Sequence, residues 1–145
     1  MDIYTIGFTK SSAEHFFGRL INAGVKRIID VRLNNTSQLS SFTKSKDLKY
    51  FLRALSNIDY IHEPLLAPTK EILNAFKKRN GSWEEYEKKF LNLMKQRNID
   101  KILDVKIIED SCLLCSEDTP HRCHRRLVAE FLMERWNMPV SIIHL

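Results

Sequence analysis

The sequence predicts an α/β fold: a single compact domain over 1–145, with a mostly parallel sheet of about five strands and helices on both faces. Three observations carry this. Short β-branched runs alternate with segments of helical spacing along the whole chain. The run RIIDV at 27–31 is apolar enough for a strand buried on both faces of a parallel sheet. The length, 145 residues, fits one core, since domains most often hold about 100–150 residues.

Each element has a local reason. Ile3–Ile6 is a β-branched and aromatic run closed by Gly7, a strand. Ser11 and Glu14 form a capping box, and Ala13, Phe16, Phe17, Leu20 and Ile21 follow at helical spacing. Gly24 ends that helix in the left-handed conformation. Arg27–Val31 is the second strand. Leu33–Lys46 is rich in Ser, Asn and Thr, an exposed loop long enough to suggest a function. Leu48, Phe51, Leu52 and Leu55 form a helix stripe, and Ile58–His62 is the third strand.

Pro64 and Pro68 then punctuate the chain, and Thr69 caps a helix reaching to about Lys78. Ser82 and Glu85 form a second capping box, after which Trp83, Tyr86, Phe90, Leu93, Met94 and Arg97 share a face. Ile99–Ile108 has both helical and strand features, and a short helix is the preferred reading. Ser111–Ser116 is the fourth strand. Thr119-Pro120 reads as an N-cap followed by proline at the first helical position, opening a helix that runs to Trp136. Pro139–His144 is the last strand.

Composition narrows the class. The chain is 43% hydrophobic and 28% charged, which excludes wholesale disorder. No apolar run approaches the roughly 20 residues of a membrane span, so no membrane partner is expected. The first residues lack the pattern of a signal peptide. Three cysteines are too few for a disulfide scaffold, and a cytoplasmic location with reduced thiols is expected.

The net charge is +5, and it is unevenly placed. Residues 10–53 hold nine Lys or Arg against three acids, and residues 70–106 hold ten against six. Such surfaces concentrate anions, nucleic acid included; the plainer alternative is a solvated face, as for Lys77-Lys78-Arg79 and Lys88-Lys89.

In a parallel sheet, ligands bind beyond the carboxyl ends of the strands. Gly7 and Thr9 follow the first strand, Asp30 and Arg32 end the second, and His62 and Glu63 follow the third. Cys115, Glu117, Cys123, His124 and Arg125 follow the fourth and make the densest chemistry in the chain. A helix start there offers unpaired N–H groups to an anion, Arg122, Arg125 and Arg126 add bidentate donors, and a nearby thiol becomes more acidic. Cys115 or Cys123 is then a reactive thiolate or, alternatively, a packing residue. His124 suits proton transfer near neutral pH. Asp30 is a general base, a partner of Arg125, or half of a structural ion pair. His62 suits a proton shuttle or, more plainly, a hydrogen-bonded packing role.

Other chemistries fit less well. Cysteine phosphatases need their Cys and Arg closer than the six residues between Cys115 and Arg122, and no glycine-rich phosphate loop occurs. Cys112, Cys115 and Cys123, with His121 and His124, are zinc-type ligands within thirteen residues. However, Cys112 and Cys115 face opposite sides of a strand, so neither a metal nor another cofactor is expected.

TIGFT at 5–9, IDVR at 29–32, Phe42, DYIH at 59–62 and LLCSEDTPHRCHR at 113–125 resemble the domain-of-unknown-function family 488 (DUF488), from the first strand to the terminal IIHL. The resemblance implies a compact α/β domain with motif positions Gly7, Asp30, Arg32, Cys115, Glu117, Cys123, His124 and Arg125. Phe8 and Thr9 stand where the family usually has His and Ser, LLAPT replaces its Gly-Gly, and Cys112 lies outside its pattern. The expected function is an enzyme or sensor binding a small phosphorylated or nucleotide-like anion. In it, Asp30, Cys115, Glu117, Cys123 and His124 are catalytic, and Gly7, Thr9, Arg32 and Arg125 bind the ligand. The alternative is a non-catalytic nucleic-acid-binding module using the basic surface.

Overall fold

The computed structural model describes residues 1–36, 41–117 and 119–145. Residues 37–40 of the expected polar loop, and Asp118, lie outside the described residues. The strands are β1 (Asp2–Ile6), β2 (Arg27–Asp30), β3 (Asp59–His62), β4 (Ser111–Leu114) and β5 (Ser141–His144). The helices are α1 (Ala13–Ala23), α2 (Ser45–Ser56), α3 (Lys70–Lys77), α4 (Trp83–Gln96), α5 (Ile99–Ile102), α6 (Val105–Ile108) and α7 (His124–Arg135). All neighbouring strands pair parallel, in the order β3-β2-β4-β1-β5. Among the described residues no helix is long and apolar enough to cross a membrane.

Side-chain alternation divides the core between the two faces of the sheet. Cys112 and Leu114 of β4 pack with Phe16, Phe17 and Leu20 of α1 and with Leu48 and Leu52 of α2. Leu113 and Cys115 point the other way, toward Phe90 and Met94 of α4 and Leu127, Val128 and Phe131 of α7. Every residue of β4 is buried, because the strand is central and covered on both sides.

The topology opens one crevice. The chain leaves β2 through α2 on one face and leaves the adjacent β4 through α7 on the other. Beyond the carboxyl ends of β2 and β4 the backbones therefore diverge, as they do wherever strand order reverses in an open parallel sheet.

Several local expectations need correction. Ser12, not Ser11, caps α1: its hydroxyl accepts from the His15 N–H at 3.1 Å, while the Ser11 hydroxyl accepts from Arg19 Nη2. Gly24 does end that helix at φ 73°. Thr69 and Ser82 cap α3 and α4 as their sequences predict. The expected loop before α2 is shortened by a 3₁₀ turn at Ser41–Thr43 and a helix that begins at Ser45. Leu55 is exposed, so the buried stripe of α2 is narrower than its spacing suggests. Residues 99–108 form two short helices, broken at Leu103.

The largest correction concerns α7. It begins at His124 with Cys123 as N-cap, not at Pro120. Residues 119–122 form bends and turns instead. Tertiary bonds from Cys123 and Arg125 hold this stretch against the end of β4, and they outweigh the local preference of Thr-Pro for a first helical turn.

Candidate functional site

β2 ends in Asp30, behind the crevice. Its carboxylate is fully buried and accepts from Arg32 Nε and Nη2, both at 2.8 Å, from the Arg32 N–H at 3.1 Å, and from the Tyr60 hydroxyl at 2.6 Å. Burial, and then the Asp30 charge, push the Tyr60 phenol up, so it stays a donor. Arg32 is only 4% exposed. Its Nη2 also donates to the Thr43 carbonyl at 2.6 Å, and its guanidinium stands 5.3 Å from the Phe8 ring centre. Its Nη1 is buried and, among the described residues, has no hydrogen-bond partner.

β4 delivers the second wall. The turn after Leu114 lies so close to β1 that a side chain on Gly7 would collide with the Glu117 carbonyl and come within 2.7 Å of Arg125 Nη1. Thr9 ties the same turn down, donating from its N–H (3.0 Å) and its hydroxyl to the Ser116 carbonyl. Arg125 runs beneath the turn, fully buried. Its Nη1 donates to the Glu117 carbonyl at 2.6 Å and lies 3.4 Å from Cys115 Sγ and 3.9 Å from Cys123 Sγ.

The sulfurs of Cys115 and Cys123 are bonded to each other, with Cα atoms 7.5 Å apart. A reactive thiolate at either position therefore requires that this bond first be reduced. The extended backbone of Cys123 (φ −138°, ψ 138°) carries its side chain back over the end of β4. Cys112 is the one free cysteine, and burial pushes its thiol up.

His124 opens α7. Its Nε2–H donates to the Val31 carbonyl at 2.6 Å, and its ring packs 5.5 Å from that of Phe90. Burial is the main cause that lowers its pKa to about 4, so the ring is neutral at neutral pH. In this position the neutral ring, held by the Val31 carbonyl, is favoured over the imidazolium.

These elements enclose a cleft of about 180 Å³. Arg32, Cys115, Glu117, Cys123 and His124 line it, together with the exposed Arg122. Leu73, Phe76 and Lys77 from α3 and Trp83 and Tyr86 from α4 form the facing wall. The Trp83 and Tyr86 rings stack at 4.9 Å, with Phe76 5.6 and 5.2 Å from them. Lys77 Nζ meets Glu117 Oε1 at 2.7 Å on the rim, so this lysine is not the purely solvated charge its sequence context suggests.

The expected site residues divide into two layers. Arg32, Cys115, Glu117, Cys123 and His124 border the cleft; Gly7, Thr9, Asp30 and Arg125 lie behind it and fix the turns that border it. Asp30 takes Arg32 rather than Arg125 as its ionic partner. His62 hydrogen-bonds the Arg32 carbonyl at 2.9 Å, the packing role. Sequence reasoning missed the aromatic wall. Trp83 and Tyr86 read as part of a core stripe, and the only hint was aromatic rather than aliphatic residues in the first turn of α4.

The family model described as "Domain of unknown function DUF488" matches residues 12–132. The match is narrower than the resemblance at the sequence level, because it leaves out TIGFT and IIHL. No curated protein and no solved structure matches the chain.

Proposed function

The chain belongs to the DUF488 family, and from that premise we propose that it is an enzyme or sensor that binds a small anion bearing a planar group in the cleft between β2 and β4. The carrying observation is Arg32, a residue of the cleft wall whose Nη1 is buried and unpartnered among the described residues, on a cleft that Trp83, Tyr86 and Phe76 also line. A buried donor without a partner costs about 1–3 kcal/mol, which an anionic oxygen would recover. The stacked rings offer an apolar face for a flat group, and Arg122 adds a second cation at the rim. The volume is smaller than the roughly 300–1,000 Å³ of drug-sized sites, which favours a compact ligand over a dinucleotide.

The nucleic-acid alternative draws less support. In the basic stretch 10–53, Lys26 and Arg53 are already paired with Asp110 and Asp59, and Arg32 is buried rather than part of a basic surface. A thermal-shift screen of inorganic phosphate, sugar phosphates and nucleoside monophosphates separates the two. The expected result is a raised Tm with a subset of the panel, lost in Trp83→Ala and Arg122→Ala. No shift with any compound, alongside DNA or RNA capture that weakens steeply with salt, would transfer the assignment to the module.

A further inference from the structure

The cleft wall holds a ligand set that the anion reading does not use. One ligand atom from each of Cys115, Cys123 and His124 lies within 4.8 Å of the others. We propose that, once the Cys115–Cys123 bond is reduced, these three residues bind a thiophilic divalent metal such as Zn²⁺, with the remaining coordination position supplied from the cleft. Two thiolates and a neutral imidazole are zinc-type donors, and three protein ligands with one open position is the pattern of reactive rather than purely structural zinc sites.

The surroundings fit a metal. His124 Nε2–H is engaged by the Val31 carbonyl, which leaves Nδ1 as the ring nitrogen with a free lone pair and fixes the tautomer, as outer partners of ligating histidines commonly do. Arg125 Nη1 points an N–H at both sulfurs, and Cys123 sits at the positive end of α7; both favour thiolate over thiol. The Cys115 and Cys123 Cα atoms, 7.5 Å apart, are set wider than the roughly 4.4–6.8 Å usual for disulfides, leaving backbone room for an atom between the sulfurs. Cys112, in contrast, faces the opposite side of the sheet. The sequence argument against zinc therefore removes Cys112 from the set without removing the site.

The chemistry balances. Reduction takes two electrons and two protons from an external dithiol, which closes to its own disulfide, and gives two cysteine thiols. Metal binding then releases both thiol protons to solvent. This proposal stands on the three ligands and not on the anion proposed above, so each can fail alone.

The test is a Co²⁺ titration of the full chain under anaerobic conditions, after reduction with a phosphine. The expected spectrum has sulfur-to-cobalt charge-transfer bands and intense tetrahedral d–d bands, saturates at one equivalent and is displaced by Zn²⁺. The oxidised protein should give no such bands. Cys123→Ser and His124→Ala should each weaken binding beyond the roughly 10–100-fold that loss of an outer partner costs, while Cys112→Ser should leave it unchanged. A featureless spectrum in the reduced wild-type protein overturns the proposal whether or not the variants fold. Binding left unchanged in either ligand variant overturns it too. Perturbation of the cobalt bands by added phosphate would place the anion on the open position, and silence there would count against the anion reading alone.

Discussion

Asp30 and Arg32 form a two-pronged ion pair with both nitrogen–oxygen distances at 2.8 Å and neither partner at the surface. They sit two residues apart at the end of β2, and the pair turns the chain out of the sheet toward the Thr43 carbonyl. Removing one partner strands the other as a buried charge. We expect Asp30→Ala to lower unfolding free energy by about 3–5 kcal/mol, against about 1 kcal/mol for Tyr60→Phe. The double variant Asp30→Asn/Arg32→Gln should be milder than Asp30→Ala. Urea unfolding of the three variants checks this, and equal costs for Asp30→Ala and Tyr60→Phe would refute it.

Gly7 is required by proximity rather than by an unusual backbone angle. Any side chain there meets the Glu117 carbonyl and Arg125 Nη1. Relief demands that the turn after β4 move, which also displaces Cys115. Gly7→Ala should therefore cost at least the about 1–3 kcal/mol of an overpacked core, and Gly18→Ala, where a Cβ meets nothing, should not. Thermal unfolding of the two variants decides it.

The division between what was and was not legible in the sequence follows the range of the forces. Gly24, Thr69 and Ser82 terminate or cap helices through bonds to residues only a few positions away, so their roles could be read locally. Ser11 and Ser12 are adjacent and chemically alike, and only the chain path chooses between them. α7 starts four residues beyond Pro120 because Cys123 and Arg125 are held by Cys115, Glu117 and Thr5, bonds invisible to a helix rule. The cleft-lining members of the motif were foreseeable from the rule that α/β sites lie beyond strand ends. Phe76, Trp83 and Tyr86 reach the same cleft from helices on which hydrophobic spacing marks burial but not against what.

His144 supplies a pH dependence outside the cleft. Its Nδ1 lies 2.6 Å from Thr5 Oγ1, a hydroxyl that also accepts from Arg125 Nε at 3.4 Å. Burial, and then Arg125, lower the His144 pKa from its usual value. A histidine with a depressed folded-state pKa binds fewer protons folded than unfolded. Its contribution is therefore fully present above about 6.5 and lost as pH falls below that value. We expect stability to decline on acidification in this window, and His144→Gln to flatten part of the slope. An NMR titration placing His144 above about 6.5 would contradict the sign.

Cysteine labelling gives the sharpest reading of the turn after β4. Bonded to each other, Cys115 and Cys123 offer no thiol, and Cys112 is buried with its thiol pushed up. The folded, oxidised protein should therefore take up no iodoacetamide. Reduction changes two positions and not the third. Cys123 caps α7, and Arg125 Nη1 stands near both released sulfurs. A helix terminus and a guanidinium each stabilise the thiolate, the reacting form, and both residues border the cleft through which the reagent arrives. After reduction, Cys115 and Cys123 should label well below the roughly 8.5 of an ordinary thiol, with Cys112 silent until the protein is unfolded. Mass spectrometry of each cysteine peptide from pH 5 to 9 (roughly the span over which such thiols titrate) separates the three rates. If Cys112 labels first in the folded protein, the two faces of β4 are assigned the wrong way round. If the reduced pair labels only at the pH of free cysteine, Arg125 is a packing residue of the turn and not an activator of its sulfurs.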